Sequence, residues 1–437
     1  MPTRELQRQK QEIRFGPFAV NLEDRELRKA GVRVPLQHKP FHILEMLLRR
    51  PGALITRQEL ANELWPHLHV DFEHSLNSAV NTLRQALEDS SREGRFIETR
   101  WGIGYRFIAP IEAAQQPSTH AQHDYLRGRL FLNRMTGENA QRAMGFFHAA
   151  LDGNPNFALA HAGLADAYCQ LALSGTVTAS EACRCARESA AAALEAEPNL
   201  PQAHVSTGRV HMIFNWDATK VMEHCNRACE LDSSLAEAFR ARSLLFATQN
   251  RHHDALADIA NAQELDPLSM AIGFEHAWIL YLSGRSHEAI AQAWTVLTIE
   301  PSFAPAQTVL GLAHHQLGAW EDALIELENA CTCSARHPAA VAALGHVYGA
   351  AGLLEKARGV LLELAEQSKH RHVSRYWFAL VYAGLHERNS ALQELQRARS
   401  QREPPSLWTD VDPRLFALHA DPDFIQLQSQ PRLTDVK

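Results

Sequence analysis

The chain lacks any run of about 20 apolar residues such as a bilayer-spanning helix needs. Even its least polar stretch, residues 339–354, contains His346. It opens on MPTRELQRQKQEIRF, which is charged and polar and has no apolar core of the secretion-signal kind. Cysteine is scarce and odd in number, seven in 437 residues, which argues against a disulfide framework and fits a reducing compartment. A cytoplasmic location without membrane attachment is therefore expected. Catalytic signatures are missing as well: there is no GxxxxGK[ST] phosphate loop, no HExxH, no GxSxG and no kinase motif. Gly102-Ile103-Gly104 lacks the third glycine and following helix of a dinucleotide fingerprint. No enzymatic activity and no cofactor are expected.

What is present is a long chain with 46% hydrophobic residues, enough for packed cores in two to four domains. The net charge of −7 is shared unevenly: residues 1–110 hold 17 Lys+Arg against 14 Asp+Glu, and the remainder holds 26 against 36. An excess of three positive charges does not by itself demand a nucleic-acid partner, and the acidic remainder argues against DNA running along it.

From residue 255 one small side chain returns every 34 positions, at Ala255, Ala289, Ala323, Ala357 and Ala391. Ser243, Ala277, Gly311, Gly345 and Ala379 keep the same phase, as do Gly284, Gly318 and Gly352. Such a period marks stacked helical hairpins, each a helix A, a glycine turn and a helix B, with small residues where two backbones approach closely. Pro267 and Pro301 stand where helix B has ended. Spacing, small residues and prolines together resemble the tetratricopeptide repeat. Ala335 and Lys369 replace proline in later units, and His386 replaces the last glycine. About seven to eight hairpins are expected, less regular before residue 231. The stretch from Asp410-Val411-Asp412-Pro413 to Gln430 is expected to be a final helix covering the last apolar edge.

The N-terminal region reads differently. Phe18, Val20 and Leu22 alternate with polar neighbours, and Lys29-Ala30-Gly31 turns into Val32-Arg33-Val34, which predicts a small antiparallel sheet within residues 13–36. Pro40 opens a helix whose face is Phe41, Leu44, Leu47 and Leu48, ended by Pro51-Gly52. Thr56-Arg57-Gln58-Glu59 is a capping box before Leu60 and Leu64. A third helix buries Leu76, Val80, Leu83 and Leu87 and turns Asn77, Ser78, Asn81, Thr82, Arg84 and Gln85 the other way. Amides pair with adenine edges, hydroxyls with several bases, and arginine with guanine or phosphate, so this face suits a major groove. It also suits plain solvent. Residues 96–107, with glycines at 102 and 104 and arginines at 100 and 106, read as a two-stranded hairpin. Sheet, three helices and hairpin make a winged helix-turn-helix.

Across residues 13–108 the chain resembles the OmpR/PhoB-type DNA-binding domain. The likeness is carried by Leu36…Pro40-Phe41, Thr56-Arg57-Gln58-Glu59-Leu60, Leu64-Trp65-Pro66, Val80…Leu83-Arg84…Leu87 and Gly102-Ile103-Gly104-Tyr105-Arg106-Phe107. It implies a winged helix (α+β) that binds double-stranded DNA, and with the repeats the expected chain is that domain followed by an all-α solenoid. By that likeness Asn77, Asn81, Thr82 and Arg84 match recognition-helix positions and Arg100 and Trp101 the wing tip; with His74, Ser78, Gln85 and Arg106 they are the expected DNA contacts. RNA polymerase is a further expected partner. With about a dozen residues before the first strand, no receiver domain and no phosphorelay control are expected.

The expected boundaries are an extension at 1–12, the winged helix at 13–109, a linker at 110–123, repeats at 124–400 and a capping segment at 401–437. Helix-A residues Arg240, Glu275, Gln307 and Arg375 are candidates for a concave surface that binds a protein partner, senses, or joins protomers. The alternatives are a scaffold whose winged helix docks protein, or repeats that bind a small molecule. Cys225 and Cys229 share a helix face, whereas Cys183/Cys185 and Cys331/Cys333 point apart, so no metal site is expected.

Overall fold

The structure, a computed structural model, describes residues 12–22, 25–29, 32–64, 73–90, 94–110 and 119–428. The chain divides into two compact units, residues 1–116 and 117–437.

In the first unit, β1 (Glu12–Phe15), β2 (Phe18–Asn21), β3 (Glu26–Lys29) and β4 (Val32–Val34) form an antiparallel meander. Residues 30 and 31 of the expected turn lie outside the described residues. Next come α1 (His38–Arg49), β5 (Leu54–Thr56), α2 (Arg57–Leu64), α3 (Glu73–Ala86), β6 (Ile97–Arg100) and β7 (Gly104–Phe107). The second sheet has the order β5-β7-β6. Strand β5, at three residues too short to show alternation, was not anticipated. It requires Gly104, because a Cβ there would lie 2.0 Å from the Ile55 carbonyl oxygen. Phe15 packs edge-on against Phe107 and Phe96, with centroids 4.9 and 5.5 Å away, and so joins the two sheets over α1 and α3. The capping box forms as expected. Thr56 N donates to Glu59 Oε2 at 2.7 Å and Glu59 N donates to Thr56 Oγ1 at 3.2 Å.

The second unit is a stack of eight helical hairpins: α4 (Thr119–Leu132) with α5 (Gly137–Gly153), α6 (Ala158–Leu173) with α7 (Ala179–Ala196), α8 (Pro201–Val210) with α9 (Ala218–Leu231), α10 (Ala236–Thr248) with α11 (His252–Leu265), α12 (Met270–Leu282) with α13 (Ser286–Ile299), α14 (Ala304–Gln316) with α15 (Trp320–Cys333), α16 (Pro338–Ala350) with α17 (Leu354–Gln367), and α18 (Arg375–Gly384) with α19 (Arg388–Ser400). Helices α11, α13, α15, α17 and α19 start 34 residues apart, so the sequence period is the step of the hairpin. Helix α4 begins inside the stretch read as a linker. The small-residue columns mark the close approaches: a Cβ on Gly311 would lie 2.6 Å from Leu327 Cγ, and one on Gly345 2.6 Å from Val360 Cγ1. His386, where the last glycine is replaced, keeps the left-handed turn at φ 58°.

After α19 the chain makes two 3-10 turns, Pro404–Trp408 and Pro413–Leu418, and then α20 (Pro422–Gln428). This corrects the expectation of one helix from Asp410 to Gln430, whose last two residues lie outside the described residues. Pro413 and Pro422 each restart the chain, and Asp412 caps the second turn through Arg414 N. Leu415, Leu418, Phe424 and Leu427 do bury against α18 and α19. Among the described residues no helix is long and apolar enough to cross a membrane.

Burial makes the repeats acid-sensitive through His346. Its Nδ1–H donates to the Leu380 carbonyl at 2.9 Å, and burial first, then the Arg414 charge, depress it to about 3 from 6.5. His315 and Asp412 also surround it. A folded-state value below the unfolded one means stability complete above about 6.5 and lost as pH falls. From pH 6.5 to 5.5 the repeats should lose roughly 1 kcal/mol through this side chain. Urea midpoints at the two values should show the loss, and His346→Gln, which keeps a donor for Leu380, should flatten it.

Candidate nucleic-acid interface

Helix α3 is positioned from both ends. At its start the Arg57 guanidinium pairs with Glu73, donates to Asn77 Oδ1 at 2.8 Å and to the Tyr105 hydroxyl at 2.9 Å, and Tyr105 donates to the same Asn77 oxygen at 3.2 Å. This ties α2, α3 and β7 together. At its end the Asp89 carboxylate accepts from the amides of Arg95, Phe96 and Ile97, which fixes where β6 begins. Arg57 and Asp89 are positioning residues that sequence reasoning missed. Arg57 was read only as part of a capping run, although a basic residue one position after a cap can reach back across the next helix. Asp89 carried no motif.

Leu76, Val80, Leu83 and Leu87 are buried as expected. Ser78, Asn81 and Gln85 are exposed on the opposite side, and Asn77 is exposed with its carbonyl oxygen engaged. Thr82 is half-buried and its hydroxyl donates to the Ser78 carbonyl at 3.0 Å, a local back-bond that leaves the oxygen able to accept. The His74 side chain lies outside the described residues.

Arg84 is a correction. It is 6% exposed, and its Nη2 donates to the Ile97 carbonyl at 3.0 Å and to Thr99 Oγ1 at 2.6 Å, so it braces α3 against the wing and does not face outward. Helical phase explains it: residue 84 is four after Val80 and three before Leu87, on the apolar stripe itself. Arg84→Ala should therefore cost the first unit about 2 kcal/mol, the range for losing hydrogen bonds from a charged donor. Thermal unfolding would measure it; unchanged stability with lost DNA binding would contradict the bracing role.

The wing turns at Trp101-Gly102-Ile103, with Gly102 at φ 74° and Trp101 87% exposed. Arg100 Nε and Arg106 Nη1 both approach Glu98, at 3.1 and 3.4 Å, so one carboxylate holds two arginines at the hairpin. Arg100 is exposed whereas Arg106 and Glu98 are half-buried, so the Arg100 pair holds weakly and can exchange for phosphate. Together these elements offer an amide and hydroxyl face on a fixed helix, beside a hairpin carrying an exposed indole and two cations.

In the repeats, Arg240 and Glu275 are consumed by each other in a bidentate pair of 2.7 and 3.0 Å. Gln307 is buried and donates to the Pro301 carbonyl at 3.0 Å. Arg375 alone of the four is exposed, 3.8 Å from Glu394. The candidate partner surface is therefore not assembled from those residues. All seven cysteines are free thiols, and burial pushes Cys169 and Cys225 up to about 12.

Residues 31–107 match the family described as "Transcriptional regulatory protein, C terminal". Over 110 residues the chain is 33% identical to transcriptional regulator HilA of Salmonella typhimurium, covering 24% of this chain and 19% of HilA. It is 32% identical over 96 residues to the KDP operon transcriptional regulatory protein KdpE of Escherichia coli, covering 22% and 43%. The RstA DNA-binding domain of Klebsiella pneumoniae, solved in complex with the RstA box, is 26% identical over 22% of this chain and 96% of that one, with a TM-score of 0.21. The chain thus spans about a fifth of HilA and less than half of KdpE. Its first unit is a winged helix similar over residues 31–107 to that transcriptional regulatory family, and residues 119–400 form a solenoid of helical hairpins like that of tetratricopeptide repeats.

Proposed function

We propose that the chain is a DNA-binding transcriptional regulator: α3 enters the major groove, the β6–β7 wing lies on the backbone or minor groove, and the repeats bind a protein partner. The observation that carries this reading is the outward face of α3, where Ser78, Asn81 and Gln85 stand exposed on a helix whose leucines face inward. Amides and hydroxyls without net charge read base edges, while the arginines of the wing supply the phosphate contacts that fix register. The match of residues 31–107 to a transcriptional regulatory family supports it.

Gel shifts of the full chain against fragments of its own genome, with scrambled DNA as control, provide the test. Selected fragments should shift at protein concentrations that leave the control unshifted, and the affinity should fall steeply with salt. Equal binding to control and genomic DNA at every salt concentration would defeat the proposal. RNA polymerase as a partner, and any small molecule bound by the repeats, are separate questions to which pull-down and ligand-dependent thermal shifts apply.

A further inference from the structure

The solenoid winds far enough for its early hairpins to meet its late ones. Asn133 Oδ1 at the end of α4 accepts from Ser269 Oγ and Ala271 N at the start of α12, at 3.1 and 3.2 Å. His337 Nε2 before α16 donates to the Ser174 carbonyl after α6 at 2.9 Å. The first helices of successive hairpins therefore share an inner face, the surface on which helical repeats ordinarily receive an extended segment or a helix.

That face is occupied by the chain's own tail, residues 403–428. Leu407 joins the apolar cluster of α8, α9 and α10. Trp408 stands edge-on to Trp278 of α12, with centroids 5.8 Å apart. Asp412 accepts the Tyr376 hydroxyl of α18 at 2.7 Å and holds Arg414 by two bonds of 2.9 and 2.6 Å, while the Arg414 guanidinium lies 5.9 Å from the Trp278 ring. Glu403 accepts the Ser374 hydroxyl and, at 2.8 Å, the Arg375 amide.

Its composition is that of a docked segment. Of the 22 buried polar or charged residues described, six lie between 403 and 421, in a stretch that makes up a small part of the chain. Interfaces between separable bodies are more polar than cores. The Trp216 Nε1 and Tyr281 hydroxyl beside the tail are buried without a hydrogen-bond partner among the described residues, which a fully matched core would not leave. Pro404, Pro405, Pro413 and Pro422 stiffen the segment before it binds, which reduces the entropy lost on docking.

Resting on the reading of the repeats as a protein-binding module, we propose that the inner face is a peptide groove held shut in cis by residues 403–428. A partner enters it by presenting a segment of the same chemistry: proline-initiated and wound in 3-10 turns, with a leucine–tryptophan pair and, four residues beyond the tryptophan, an aspartate–arginine pair bridged by proline.

A specific protease site inserted between Gln401 and Arg402, both exposed turn residues, tests this in the full chain. After folding and cleavage, the protein is mixed with excess fluorescent synthetic peptide of residues 402–430, and anisotropy and circular dichroism are followed. The expected result is that the uncut chain takes up no peptide, while the cleaved chain stays helical and exchanges its tail for one equivalent. A peptide carrying Asp412→Ala should bind on the order of 100-fold more weakly. Loss of helicity on tail release, failure of the cleaved chain to exchange, or equal uptake by the uncut chain would overturn the proposal. Gel shifts on the same samples report the DNA-binding reading separately, because they depend on residues 12–110 and not on the groove.

Discussion

Replacing Asn81 and Gln85 together by alanine is expected to collapse the preference for operator over non-specific DNA while leaving non-specific binding almost intact. Both side chains are exposed on the outward face of α3, away from the Arg57–Asn77–Tyr105 network and the Arg84 brace, so their removal leaves the framework of the first unit in place. Each amide that pairs bidentately with a base contributes about 1–3 kcal/mol of discrimination, so the double variant should lose roughly 2–6 kcal/mol of preference. The salt dependence should not change, because neither residue neutralises a phosphate. Arg100→Ala gives the opposite pattern: a similar weakening on every sequence and a salt slope lower by about one, since it removes a cation from the wing. Binding isotherms on operator and scrambled duplexes at several salt concentrations separate the two. If the double variant kept its selectivity, α3 would not be the reading element.

Much of this architecture was legible because it is periodic. The 34-residue return of Ala255, Ala289, Ala323, Ala357 and Ala391 fixes where each second helix packs, and all five are fully buried. The α3 stripe was legible for the same reason, and a strict use of phase would also have placed Arg84 inward with Val80 and Leu87. Less was legible where partners are far apart in sequence. Arg240 and Glu275 look like two separate charges in a linear reading, yet a spacing of 35, one repeat plus one residue, puts them on adjacent first helices at bonding distance. The tail was the hardest part. Its 3-10 turns have no helical period to detect, and its partners on α8, α12 and α18 lie up to two hundred residues away, so its seat is a property of the finished superhelix. The amide face of α3 was visible in the sequence, whereas the Arg57 and Asp89 contacts that hold it became visible only once α2 and the wing were folded beside it.

The tail also sets the largest expected change in stability. Asp412→Ala should destabilise the repeat unit by about 3–5 kcal/mol, because it leaves the buried Arg414 guanidinium without its counter-charge and the Tyr376 hydroxyl without an acceptor. Burial alone would push the Asp412 carboxyl up, but the Arg414 charge and the hydrogen bonds from Arg414 and Tyr376 outweigh it and hold the group below its usual range. The carboxylate therefore contributes stability above its unfolded value, and that contribution is lost as pH falls through the depressed one. The loss on substitution should come mostly from the stranded cation and not from the pair's net worth. Adding Arg414→Met to Asp412→Ala should therefore recover a large part of it, since an apolar side chain of similar length needs no partner. Urea unfolding followed at the Trp278–Trp408 contact measures both variants at the tail itself. A single variant within about 0.5 kcal/mol of the parent, the range of ordinary surface changes, would mean that water reaches the pair and that the tail lies on the groove without being seated in it.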